Sequence, residues 1–151
     1  MFITDLSILS RYSRIFFERR LREINIGFTE QLILLYLYKC ESVNQEKIAK
    51  HFMLDKGAIA KTLNKLEKKE FITRVDNPSS KREKLISITQ NAKEIMGYVN
   101  EELLFWHNCL FEGLNPEDIQ EFNRILEIMS ANAINVINGR NLENEDAKQK
   151  Q

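Results

Sequence analysis

The sequence predicts a mainly α-helical fold with one small β-hairpin. Glycine and proline are scarce, at 5 and 2 of 151 residues, which leaves too few turns for a many-stranded sandwich or barrel. Apolar residues recur at helical spacing along most of the chain, and alternation appears only around residues 71–88. The length and a hydrophobic fraction of 43% suit one globular domain, or one domain with a dimerisation extension.

Four helices are predicted in the first half of the chain. The first covers residues 4–24, and its apolar positions are Ile8, Leu9, Tyr12, Ile15, Phe16 and Ile24. The second, over residues 29–40 with Thr29 as its cap, is apolar on nearly all sides and therefore belongs in the core. The third covers residues 45–53. Asp55 then caps the fourth, over residues 56–70, because its carboxylate can accept a backbone N–H.

The fourth helix has two contrasting faces. Ile59, Leu63 and Leu66 form one narrow apolar stripe that predicts burial. The opposite face is small near the N-terminus and basic further along, and it consists of Gly57, Lys61, Asn64 and Lys68, flanked by Ala58 and Lys65. This arrangement suits a helix that lies deep in a groove, because the backbone approaches closely at one end and long cations follow.

A hairpin and two long helices complete the pattern. Alternation predicts short strands over residues 71–75 and 84–88, joined by the polar turn Asn77–Ser80. Thr89 is placed to cap a helix that runs to about residue 111. Gly113 and Pro116 then mark the boundary of a last helix, which is capped by Asn115 and runs to about Ile137.

Charge is distributed unevenly along a chain whose 22 basic and 22 acidic residues cancel. Residues 47–93 carry twelve basic side chains against five acidic ones, and residues 94–151 carry four against eleven. A concentrated basic segment favours a local polyanion-binding surface. A solvated, lysine-rich helix face would give the same charge pattern.

The order of elements is that of a winged helix-turn-helix, in which a basic helix leads directly into a hairpin with a basic tip. A helix fits the major groove of duplex DNA, where its N-terminal residues reach base edges and its cations reach phosphates. An arginine at the hairpin tip can enter the adjacent minor groove. The fold class is therefore mainly α with a small β-hairpin wing.

The segment over residues 45–89 resembles the core of the MarR family of transcriptional regulators. The stretches that carry the resemblance read IAKHFMLDKGAIAKTLNKLEKKEFI, NPSSKR and ISITQNA. The resemblance implies a homodimeric repressor that binds a pseudo-palindromic operator in double-stranded DNA. It also implies release by a small aromatic effector, as in many family members.

The resemblance assigns DNA-binding roles by position. The recognition helix carries Lys56, Gly57, Ala58, Lys61, Thr62 and Lys65, and the wing carries Arg74 at its base and Lys81 and Arg82 at its tip. Asn77 and Ser80 depart from the family, which commonly has aspartates there. The second of these aspartates often orients the wing arginine in the family, and Ser80 cannot form that charged pair with Arg82.

The implied organisation has four parts. In chain order they are a dimerisation helix over 1–28, a winged helix-turn-helix DNA-binding domain over 29–89, C-terminal dimerisation helices over 90–138 and a polar, disordered tail over 139–151. No signal peptide or membrane span is expected, which favours a reduced, cytoplasmic compartment.

Other functions have weaker signals. The single histidines His51 and His107 lack partners at metal-ligand spacing, so we expect no metal and no cofactor. Cys40 and Cys109 are expected to be buried, inert thiols. No nucleophile–base pair or phosphate-binding loop is apparent, and enzymatic activity is not expected.

Two alternatives remain open on the sequence. The aromatic residues Phe16, Phe17, Phe105, Trp106 and Phe111 line either a pocket for an aromatic anion or a plain core. The basic segment also allows a winged-helix module that docks an acidic protein partner without reading DNA.

Overall fold

A computed structural model describes residues 1–137 and 139 and confirms a mainly helical chain with a small sheet. The elements in chain order are α1 (Phe2–Arg20), α2 (Phe28–Tyr38), β1 (Val43–Asn44), α3 (Gln45–Phe52), α4 (Lys56–Lys68), β2 (Ile72–Asn77), β3 (Ser80–Ile88), α5 (Gln90–Leu110) and α6 (Pro116–Ile137). Apart from Gly139, the predicted tail lies outside the described residues.

The described residues form two compact units, which divide between His107 and Asn108. The first unit holds α1 to β3 and most of α5, and the second holds α6. The predicted functional boundaries at residues 28, 89 and 138 stay predictions. Within residues 1–137, no helix is long and apolar enough to cross a membrane.

The core of the first unit brings together α2, the inner faces of α3 and α4, and the sheet. Its largest fully buried apolar side chains are Leu21, Ile33, Leu34, Leu37, Ile48, Ile59, Leu63, Leu66, Ile72, Ile86 and Met96. The predicted stripe of α4 is confirmed, since Ile59, Leu63 and Leu66 are each 0% exposed. Burial of this stripe decides which face of α4 is left for a partner.

The three antiparallel strands have the order β1-β3-β2. The predicted hairpin is present, but its second strand begins at Ser80 rather than residue 84. The two-residue β1 was not predicted, because it is too short for alternation to show. Val43 pairs with Ile86, so this strand joins the wing to the start of α3.

The corner between α1 and α2 differs from the prediction. Helix α1 ends at Arg20 rather than near residue 24, and Asn25 adopts a left-handed φ of 55° that interrupts helical geometry. Helix α2 is capped by Gly27 instead of Thr29, because the Glu30 carboxylate reaches back and accepts the Gly27 N–H at 2.7 Å. A buried carboxylate therefore defines this corner.

The other predicted caps are confirmed. Asp55 Oδ1 accepts the Ala58 N–H at 2.9 Å, and Thr89 Oγ1 accepts the Ala92 N–H at 3.1 Å. Asn115 Oδ1 accepts the Asp118 N–H at 2.8 Å, and Pro116 occupies the first position of α6 as predicted.

A bidentate ion pair joins α1 to α5. Arg20 Nε and Nη2 donate to the two carboxylate oxygens of Glu102 at 2.6 and 2.7 Å, and Glu102 is buried. The hydrogen bond and the charge of Glu102 raise the pKa of Arg20 above its ordinary value. Tyr98 Oη also donates to the Arg20 carbonyl at 2.9 Å. Geometry of this kind specifies how the two helices cross.

The cysteine prediction is wrong for Cys109, which is exposed, and Cys40 is only partly buried. Cys109 follows the segment of α5 that packs on the core, whose last core contact is the partly buried Trp106. Helical spacing alone therefore could not show whether Cys109 is buried or exposed.

Candidate nucleic-acid interface

The exposed face of α4 carries most of the predicted DNA-contacting residues. Lys56, Gly57, Lys61 and Lys65 are exposed, while Ala58 and Thr62 are partly buried at the edges of this face. The arrangement follows from burial of the apolar stripe, because residues about 180° away around a helix must face outward.

The first turn of α4 offers a low surface. A Cβ added at Gly57 would meet only Asp55 Oδ1, at 3.1 Å, so the glycine leaves the helix start open to close approach. Lys56 Nζ lies 3.8 Å from Glu46 Oε1, and both side chains are largely exposed, which leaves the lysine free to exchange partners. Backbone N–H groups at this end also favour an anion such as a phosphate.

The middle of α4 presents one cation and one hydroxyl. Lys61 is exposed and points a flexible ammonium outward. Thr62 Oγ1 donates to the Ala58 carbonyl at 3.0 Å and keeps its lone pairs available as acceptors. One turn further on, Lys65 shares a cleft of about 660 Å³ with Arg14, Arg22 and Lys69.

Arg74 is placed differently from the other predicted residues. Its side chain is 21% exposed, Nη2 donates to Asn64 Oδ1 at 2.9 Å, and Nη1 lies 3.6 Å from Glu67 Oε2. These partners are on α4, so Arg74 braces the wing against the recognition helix. Its buried Nε has no hydrogen-bond partner in the described structure.

The tip of the wing is irregular, and it carries the two remaining predicted residues. Asp76 pairs with Lys84, whereas the next residue, Asn77, pairs with Ser80. Lys81 and Arg82 therefore lie in a bulge of β3, and both are exposed. Bulges of this kind redirect side chains away from a regular ladder.

A buried ion pair ties the C-terminal end of α4 to the corner between α1 and α2. Lys69 Nζ donates to Glu30 Oε2 at 2.7 Å and to the Asn25 carbonyl at 2.6 Å. Glu30 and Lys69 have side-chain exposures of 7% and 24%. The recognition helix is thus held at both ends, by the Asp55 cap and by Lys69.

Several residues for which the sequence predicts no DNA-binding role hold this surface in place. Asn64 holds Arg74, Lys69 holds the α1–α2 corner, and Glu83 accepts hydrogen bonds from Asn44 and Asn77. Asparagine is a common N-cap, so the position of Asn44 directly before α3 is the feature of the sequence that could have indicated its role. The other contacts join side chains of different elements, so the spacing within one element could not reveal them.

The fold and this surface define a winged helix-turn-helix protein. The model of the MarR family matches residues 28–84, which cover α2 to the wing. The HTH-type transcriptional regulator SarZ of Staphylococcus aureus is 27% identical over 94 residues, which are 62% of this chain and 60% of SarZ. Over residues 28–84 the chain matches the MarR family.

Solved structures agree with this assignment. A crystal structure of MarR superposes with a TM-score of 0.76 at 27% identity, covering 87% of this chain and 89% of that one. A structure of reduced AbfR bound to DNA superposes with a TM-score of 0.74 at 22% identity, covering 90% and 92%. The second match shows the shared fold, and its identity is too low to show more.

Proposed function

We propose that the protein is a dimeric, cytoplasmic, sequence-specific regulator of transcription that binds double-stranded DNA, acts as a repressor and catalyses no reaction. The observation that carries this proposal is the pairing of two exposed basic features in one unit, the outer face of α4 and the bulged wing tip. SarZ is named as a transcriptional regulator, which supports the same function here.

The contacts differ in kind along the surface. Lys61 and Thr62 are placed to reach base edges in the major groove, with Gly57 allowing close approach. Lys56 and Lys65 flank them as phosphate contacts. The other residues of the proposed DNA interface are Ala58, which is partly buried, Arg74, which holds the wing on α4, and the wing-tip cations Lys81 and Arg82.

Dimerisation is supported by exposed apolar faces on three helices. Helix α6 has no buried residue within the described chain. The large exposed apolar side chains are Phe2, Ile3, Leu6, Ile8 and Tyr12 on α1, Leu103, Leu104, Phe105 and Leu110 on α5, and Phe122, Ile125, Leu126, Ile128, Val136 and Ile137 on α6. A second copy of the chain would remove this apolar surface from water.

Effector release is supported by a small cleft between α1 and α5. The cleft has a volume of about 240 Å³ and is lined by Tyr12, Ile15, Phe16, Arg19, Arg20 and Trp106. The Phe16 ring stacks on Trp106 at 4.5 Å between centroids. This arrangement suits a single-ring aromatic acid whose carboxylate meets Arg19, because Arg20 is held by Glu102.

The test is fluorescence anisotropy with a duplex that the wild-type protein selects from a randomised library, with a scrambled duplex beside it. Lys61→Ala should weaken specific binding by about 1–3 kcal/mol if it reaches a base, or reduce the salt slope by about one if it reaches a phosphate. Arg82→Ala should weaken specific binding mainly where the flanks are A·T-rich. Lys39→Ala removes an exposed cation outside α4 and the wing, and serves as the matched control.

Two outcomes would contradict the proposal. Equal binding to both duplexes that disappears at higher salt would leave only a basic surface. Intact duplex binding in both variants, with loss of an acidic protein partner, would instead support a winged-helix module that docks that partner without reading DNA.

A further inference from the structure

The wing of this protein lacks the regular pairing that would hold its arginine. Lys81, Arg82 and Glu83 lie between the pairs Asp76–Lys84 and Asn77–Ser80 and face no residue of β2 in the described register. Backbone pairing therefore does not determine where the Arg82 side chain points. Another contact must determine its direction if the wing reads a groove.

Glu83 supplies a contact of the required kind. Its Oε2 atom accepts a hydrogen bond from Asn44 Nδ2 at 3.1 Å and another from Asn77 Nδ2 at 3.3 Å. Asn77 ends β2 at the hairpin turn, and its Oδ1 accepts the Ser79 N–H at 3.0 Å. One carboxylate oxygen therefore joins the bulge of β3 to the turn of the hairpin.

The second partner of Glu83 belongs to the helix-turn-helix. Asn44 Oδ1 accepts the Lys47 N–H at 2.9 Å and so caps α3, while its Nδ2 atom binds Glu83. The amide uses its acceptor for the helix and its donor for the wing. Because α3 packs on α4, this contact relates the bulge to the recognition helix.

Positively charged groups surround the Glu83 carboxylate. The N-terminus of α3 carries partial positive charge. Lys56, Arg74, Arg82 and Lys84 line the same cleft of about 340 Å³. A carboxylate that is surrounded in this way stays in place without an ion pair from Ser80, the position where the family commonly has an aspartate.

We propose that Glu83 is the positioning residue of the wing, which directs Arg82 toward the minor groove by bridging Asn77 and Asn44. It acts through Arg82 and has no DNA contact of its own. The proposal rests on the DNA-binding function proposed above and deepens it. The positioning role of Glu83 and the DNA-binding function can be tested separately.

The experiment measures discrimination by the full chain between a library-selected duplex and copies in which G·C pairs replace either the A·T flanks or the central pairs. Glu83→Ala should reduce flank discrimination about fivefold and leave central discrimination unchanged. Glu83→Gln keeps an acceptor oxygen and should restore most of it. Asp76→Ala removes the same charge from the wing. The partner of Asp76 is Lys84 rather than either asparagine, so this variant should behave as wild type.

A double-mutant cycle separates positioning from a general structural effect. In an Arg82→Ala background, Glu83→Ala should cause no further loss of flank discrimination, because the two residues act as a unit. Unchanged flank discrimination in Glu83→Ala, equal loss at flanks and centre, or additive losses in the double variant would each overturn the proposal.

Hydrogen exchange provides a readout that does not depend on DNA. Glu83→Ala should raise amide exchange in residues 77–84 and leave α4 unchanged. If the wild-type protein selects no duplex, the DNA-binding function fails and this exchange still tests the bridge. If Glu83→Ala and the wild type exchange equally in residues 77–84, the proposed positioning role of Glu83 is overturned.

Discussion

The buried pair of Glu30 and Lys69 yields the most demanding stability prediction. The change is Lys69→Met, which keeps an apolar stem and removes the ammonium. Glu30, whose side chain is 7% exposed, then keeps only the hydrogen bond from the Gly27 N–H among its described contacts. Breaking a buried pair by removing one partner costs about 3–5 kcal/mol when both groups are fully enclosed.

The magnitude here should be smaller, because the Lys69 side chain is 24% exposed and water reaches the pair. We expect a loss of about 2 kcal/mol in the free energy of unfolding. With a urea slope of about 2 kcal/mol per molar, the midpoint should fall by about 1 M. Urea unfolding followed by circular dichroism, at one fixed protein concentration, measures this shift.

Two further variants make the reasoning refutable. Lys68→Met removes the neighbouring, exposed cation and should cost less than about 0.5 kcal/mol. Lys69→Met combined with Glu30→Gln should recover at least half of the loss, because no charge is then buried unpaired. Equal midpoints for the two lysine variants, or no recovery in the double variant, would show that the pair does not stabilise the corner.

Two other predictions concern α4 alone. Asp55→Ala removes the N-cap of α4 and should lower the free energy of unfolding by about 1 kcal/mol. Asp55→Asn keeps a capping oxygen and should retain most of the wild-type stability. Equal losses in the two variants would contradict a capping role. Leu63→Ala opens a cavity at a position that is 0% exposed and should cost about 2–5 kcal/mol in the same unfolding assay, whereas a loss below 1 kcal/mol would mean that the core closes around the gap.

The recognition surface was largely predictable because it depends on local periodicity. The buried stripe Ile59, Leu63 and Leu66 implies an outward face that contains Lys61 and Lys65, whatever else the chain does. Caps such as Asp55 are equally local, since donor and acceptor lie within one turn. Helix existence, helix order and the exposed cations therefore followed from the residues themselves.

The supports of that surface were not predictable, because each joins side chains that belong to different elements. Arg74 is predicted to bind DNA from the base of the wing, and nothing in the sequence indicated that its guanidinium meets Asn64 on α4. Glu83 has Asn44 as a partner, 39 residues away in sequence. Cys109 was expected to be buried and is exposed, because helical spacing does not say where a core ends along a helix.

The sequence by itself determined the fold class, the order of elements and the basic face of α4, because hydrophobic period, capping and charge are properties of short segments. Only the tertiary structure decided that Arg74 braces the wing, that Lys69 closes on Glu30, and that Glu83 bridges Asn44 and Asn77. These contacts join side chains of different elements, and hydrogen bonds between such groups form only when folding brings the elements within hydrogen-bonding distance.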